Sequence, residues 1–200
     1  LYNQLLVRRF AVPDKLKNLS EIYNEGSKEA ASEFTRILDE EAPDLVHFHA
    51  FTRGVSLRLV RAAKQRQIPT IFTYHTPTVS CVRGTLMRWG SEVCDGQLNQ
   101  KRCTACVLHG HGLSQSSSKL LSTLPPPLSA LIGKWGNGKL WTALRMSELV
   151  ALRHRSIRSL FLEVDHIVAV SHWVKEVLQR NGVVEEKITV CRHGIAHENH

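Results

Sequence analysis

The stretch Leu45-Val46-His47-Phe48-His49, answered after one crossover by Thr70-Ile71-Phe72-Thr73-Tyr74-His75, decides the fold. Both runs are short and apolar, rich in β-branched or aromatic residues, and each ends in a histidine. Between them Val55, Leu57, Leu59, Val60, Ala62 and Ala63 recur at helical spacing among arginines and a lysine, until Ile68-Pro69 stops the pattern. Strand, helix, strand is a βαβ unit, and its two strands run parallel. In such sheets ligands bind beyond the carboxyl ends of the strands. His49 and His75 therefore fall on one edge where chemistry is expected. His47, two residues before His49, projects to the same face of the sheet.

Outward from this unit the alternation continues. Ile22, Tyr23, Ala30, Phe34, Ile37 and Leu38 keep helical spacing, with Gly26-Ser27 dividing the segment and Ser27 placed to cap its second part. Downstream, residues 139–163 are helical in composition, although their apolar positions do not keep one stripe. Residues 165–170 form a nearly all-apolar strand, as expected for one covered on both faces. Ser171 then caps a helix that Asn181-Gly182 ends, and residues 188–191 are a fourth strand running into His193-Gly194. This order predicts an α/β domain with a mostly parallel, Rossmann-like sheet and flanking helices. One domain is expected over 1–200, incomplete at both ends, with residues 78–128 as an irregular, Cys-rich insert.

Composition narrows the class. With 42% hydrophobic and 22% charged residues the chain is globular. It has no apolar run long enough to span a bilayer and no visible signal peptide, and it opens on Leu1, so the start is expected to be missing. The net charge of +8 is uneven: residues 14–44 hold nine acidic and four basic residues, whereas 45–200 hold nine acidic and twenty basic. A basic half suits an anionic partner such as a nucleotide, a nucleic acid or an anionic lipid head group, or simply keeps the surface solvated. Lys139 to Arg158, with Trp135 and Trp141 nearby, reads either as a segment lying on an anionic membrane or as an ordinary domain helix.

Five cysteines without a leader argue for a reducing compartment and a cytoplasmic protein, membrane-peripheral if that basic segment docks. Cys81, Cys94, Cys103 and Cys106 lie within the insert, and the last two form Cys-x-x-Cys. Four thiols can complete a tetrahedral Zn–S4 site, which would order an insert lacking its own core. Iron–sulfur ligation, disulfides or unrelated thiols remain open, and His109 and His111 are substitute ligands.

Four blocks together resemble a known family. Pro43-Asp44-Leu45-Val46-His47-Phe48-His49, Ile68 to His75, Val164-Asp165-His166-Ile167-Val168-Ala169-Val170-Ser171 and Gly182 to Val190 resemble, in order and spacing, the family 4 type of GT-B glycosyltransferases. The Cys-containing insert is similar to one found in a subset of that family. The resemblance implies the acceptor-side, N-terminal half of a two-domain enzyme. Such enzymes move a sugar from a nucleotide-sugar donor to a glycan or lipid-linked acceptor, usually with retention at the anomeric carbon. It puts His75 and His49 at the interdomain cleft as the catalytic candidates. Arg53, Ser171, His193 and Gly194 are substrate-binding candidates. Arg53 follows a strand where a helix N-terminus would favour an anion, and is otherwise a solvated arginine. Ser171 is first of all a helix cap.

The departures are informative. The family's Gly-Gly loop and its nucleotide-binding second domain are absent here, and His193-Gly194 stands where Asn-Gly is usual. The chain is therefore expected to be inactive alone. Two rivals stand: a zinc-stapled nucleic-acid-binding module, and a non-catalytic scaffold of the same fold. Against the first, no stripe of aromatics interleaves with the basic residues, so nucleic acid is not the expected partner.

Overall fold

The computed structural model describes residues 7–12 and 19–192. In chain order the elements are α1 (Leu19–Tyr23), α2 (Lys28–Glu41), β1 (Val46–Phe48), α3 (Leu57–Gln65), β2 (Thr70–Tyr74), β3 (Met87–Arg88), β4 (Glu92–Val93) and α4 (Gln100–Gly110). They continue with α5 (Gln115–Leu121), α6 (Pro126–Ile132), α7 (Lys139–Glu163), β5 (His166–Ala169), α8 (His172–Arg180) and β6 (Ile188–Val190).

The main sheet is parallel, in the order β1-β2-β5-β6. Val46 stands opposite Thr70, Phe48 opposite Phe72, Tyr74 opposite Ala169 and Ile167 opposite Ile188. Four of the five β2 residues are buried, on both faces, which is why its sequence shows no alternation of apolar and charged residues. The amino ends of β2 and β5 are pinned by Asp165. Its Oδ2 accepts from the Thr70 amide at 2.8 Å and the Thr70 hydroxyl at 2.7 Å, while Oδ1 meets Lys64 Nζ at 2.9 Å. Partial burial pushes this carboxyl up, but the hydrogen bonds from Lys64 and Thr70 outweigh it and hold it below the ordinary value.

Local chemistry explains the element ends. Ser27 Oγ accepts from the Ala30 amide at 3.1 Å and caps α2, and Gly26 before it takes φ +83°. Ser171 Oγ accepts from the Val174 amide at 3.2 Å and caps α8, whose end is followed by Gly182 at φ +89°. The helical spacing that begins at Val55 becomes a helix only at Leu57. Thr52 Oγ accepts from the Gly54 and Val55 amides and folds residues 52–55 into a turn.

The core has two centres. Phe48, Phe51, Leu57, Val60, Phe72, Tyr74, Ile157, Leu160, Phe161, Ile167 and Val177 pack on the sheet. A second cluster joins Val107 and Leu108 of α4 to Met146, Leu149 and Val150 of α7, with Leu113, Leu121 and Cys103 against it. The insert is thus not irregular: it carries α4, α5, the first turn of α6 and the β3–β4 hairpin, and it packs an apolar core against α7. α7 spans about 37 Å at the usual rise and faces the insert with its first half and the sheet with its second. Two partners at different azimuths explain why its apolar positions make no single stripe. Of the two readings of Lys139 to Arg158, the domain helix describes its middle and end: α7 buries Met146, Leu149, Val150 and Ile157, and beyond them Leu160 and Phe161, while Leu140 in its first turn stays exposed.

Candidate functional site

His49 and His75 meet as the βαβ reading requires. His49 follows β1 and His75 follows β2, and His49 Nδ1 lies 2.9 Å from His75 Nε2, one nitrogen donating and the other accepting. Their rings stack with centroids 5.2 Å apart. His47 joins them from within β1, its ring centroid 4.0 Å from that of His49 and its Nε2 2.7 Å from Thr73 Oγ1 of β2. Burial, then repulsion from His49 and His75, holds the His47 imidazole below its ordinary value. The three imidazoles stand in a row at the carboxyl ends of two parallel strands. An imidazole there can accept a proton from, or donate a hydrogen bond to, a hydroxyl-bearing substrate. Thr73 escaped the sequence reading, although its place two residues before His75, on one face of β2, was a usable signal.

Beside these strand ends lies a cavity of about 380 Å³ lined by Ile22, Tyr23, Phe51, Thr52, Arg53, Thr78, Val82 and Arg153. It draws on the loops after both β1 and β2. Arg153 of α7 ties those loops together: its Nη2 donates to the Thr78 carbonyl at 3.0 Å and the Phe51 carbonyl at 3.3 Å, and its guanidinium stacks 4.4 Å over the Phe51 ring. Burial pushes its pKa down to about 10, so it stays cationic at neutral pH. Tyr23, across the cavity, is pushed up by burial, with Arg153 opposing. Neither residue was singled out from the sequence, because an arginine inside a basic helix carries no mark of facing inward.

The other candidates are placed as follows. Arg53 is exposed in the β1–α3 loop and lines the same cavity, three residues short of the Ser56 cap position rather than at a helix N-terminus. Its carbonyl accepts from the Ser27 amide at 2.9 Å. Ser171 spends its hydroxyl on the α8 cap. His193 and Gly194 lie outside the described residues.

Cys81, Cys94, Cys103 and Cys106 all line one cavity of about 30 Å³, together with Arg83, Arg88 and Arg102. All four are free thiols, as is the exposed Cys191. Burial pushes Cys94 up and Cys103 up to about 11. Cys106 Sγ receives Arg83 Nη1 at 3.5 Å. Among the described residues no group of three or more His, Cys, Asp or Glu side chains is arranged to hold a metal ion. The insert's apolar core supplies the order that a metal was expected to provide.

The family model of the glycosyl transferase 4-like domain matches residues 3–194. The chain belongs to that family. Neither a curated protein nor a solved structure matches it. Family membership and the parallel sheet agree with the Rossmann-like half of a GT-B fold, and make this a glycosyltransferase-type domain. No helix among the described residues is long and apolar enough to cross a membrane.

Proposed function

We propose that this glycosyl transferase 4-like domain is the acceptor-side half of an enzyme that transfers a sugar from a nucleotide-sugar donor to a glycan or lipid-linked acceptor, with retention at the anomeric carbon. The observation that carries the reading is the His49–His75 hydrogen bond of 2.9 Å at the carboxyl ends of β1 and β2. His75 hydrogen-bonds a hydroxyl of the transferred sugar, and His49, bonded to it, sets which ring nitrogen carries the proton. The cavity closed by Arg153 and Tyr23 receives the acceptor, and Arg53 at its rim meets an anionic acceptor or phosphate. Stabilisation of the leaving diphosphate is the other need of such a transfer, met by preorganised donors and cations. Zinc at the four cysteines is not part of this reading, because the described thiols do not stand as a metal-holding group.

The test is turnover of the full-length protein carrying His75→Ala, measured as sugar transfer from donor to acceptor. Loss of a positioned acid–base or hydrogen-bonding imidazole lowers kcat by about 100-fold or more, with thermal unfolding unchanged. Unchanged kcat removes His75 from the site. NMR of the product's anomeric proton reads the stereochemistry, and an inverted product refutes retention.

A further inference from the structure

α6 and the turn after it have a fixed inner face and an apolar outer one. Ser129 is fully buried; its hydroxyl donates to the Leu144 carbonyl at 2.7 Å and accepts from the Glu148 amide at 3.3 Å. Gly133 is buried against α7, where a Cβ would stand 2.8 Å from Arg145 Cγ. The helix therefore cannot roll. Beyond Ile132 the chain stays wound, with the Lys134 amide bonded to the Leu131 carbonyl and that of Trp135 to Ile132. Leu128, Leu131 and Trp135, three and four residues apart, stack along the outside. They are 44%, 57% and 71% exposed. Leu120 of α5 and Leu140 of α7 are exposed too, and a lysine precedes each of these leucines and Trp135: Lys119, Lys139 and Lys134.

Charge decides what covers this face. From Gly96 to Ser147 there is no Asp or Glu, while Lys101, Arg102, Lys119, Lys134, Lys139 and Arg145 are present. Leucines and an exposed Trp interspersed with lysines, without carboxylates, match the interface of an anionic bilayer: the apolar groups enter the acyl boundary and the ammonium groups meet phosphate. A second copy of the chain fits worse, since a two-fold contact through this face would set lysine against lysine. We propose that the outer face of α6, with the Lys134-Trp135 turn and the flanking Lys119-Leu120 and Lys139-Leu140 pairs, docks the domain on an anionic membrane surface. The surface is distinct from the histidine site, and its use requires no assumption about the transfer reaction.

The test is flotation of the purified chain with vesicles of phosphatidylglycerol and phosphatidylcholine, and with phosphatidylcholine alone. The protein floats with the anionic vesicles at low salt, much less so at high salt, and little with the neutral ones. The emission of Trp135, taken as wild type minus Trp135→Phe, shifts to the blue on binding. Leu131→Ser with Trp135→Ser lowers the bound-to-free ratio by about tenfold or more, and Lys134→Glu with Lys139→Glu does the same through charge. Wild type that stays with the aqueous phase beside anionic vesicles overturns the proposal. So does a folded Leu131→Ser, Trp135→Ser variant that floats as wild type does, or an unshifted Trp135 emission. A dimer that this double variant dissolves, without vesicle binding, assigns the face to a second copy instead.

Discussion

Lowering the pH from 7 to 5 should cost this domain about 2 kcal/mol through His154 alone. The residue lies in α7 at 2% exposure, and among the described residues its Nε2 has no hydrogen-bond partner. Burial, and after it the positive charges of Arg158 and Arg153, push its pKa from 6.5 down to about 4. In the unfolded chain the imidazole titrates normally. Between those two values the unfolded state binds a proton and the folded state does not. Stability is therefore untouched well above pH 6.5, falls as the pH drops below it, and stops falling on this account once the folded imidazole protonates near 4. A depression of about 2.5 units is worth about 3 kcal/mol in full, of which about 2 kcal/mol is spent by pH 5. Against the net stability of an ordinary domain, about 5–15 kcal/mol, that is a large share. The measurement is urea unfolding by circular dichroism at both pH values, for wild type and for His154→Leu. Every other titrating group acts in both proteins, so the difference between their pH losses isolates His154. The variant should lose about 2 kcal/mol less than wild type. His154→Gln, which stays polar without titrating, should behave alike if it folds. Equal losses in wild type and both variants refute a buried, neutral His154.

Two further substitutions test how the site is held. Gly26→Ala places a Cβ 2.8 Å from the Arg53 carbonyl at a φ of +83°, so it should destabilise by about 2 kcal/mol or more in chemical denaturation. A loss under about 0.5 kcal/mol would mean the α1–α2 turn is not clamped on the β1–α3 loop. Asp165→Ala leaves the buried Thr70 amide and hydroxyl without their acceptor and should cost about 1–3 kcal/mol at neutral pH. Because the folded carboxyl is held below its ordinary value, its contribution is present above the unfolded pKa and fades as pH falls through the folded one. The variant's deficit should therefore shrink in acid, and a deficit independent of pH would contradict the assignment.

Much of the sheet could be read from the chain because its signals are local. β1 and β2 announce themselves by period and by the Pro69 stop, and the Ser27 and Ser171 caps and the Gly182 terminator are set by residues acting within one turn. The meeting of His49 and His75 followed from topology alone. The insert was opaque for the opposite reason. α5 and α6 are seven residues each, rich in Ser and Pro, and their apolar side chains divide between a neighbour and the outer surface, so neither shows a period. The spacing of the four cysteines pointed to their gathering but overstated what gathers: they share a cavity rather than a metal-ready array. Arg153 was illegible because its work is tertiary, joining two loops remote in sequence.

The double duty of α7 has a consequence for cooperativity. β2 and β5 are sheet neighbours, yet residues 75–165 intervene, and α7 is the last element of that excursion before the chain re-enters the sheet. A helix that is one wall of each core makes the insert and the sheet share an unfolding event, unlike an excursion tethered only at its ends. Amides of α4 should then exchange with solvent at rates approaching those of β5, and trimming the insert should loosen the sheet rather than leave it intact.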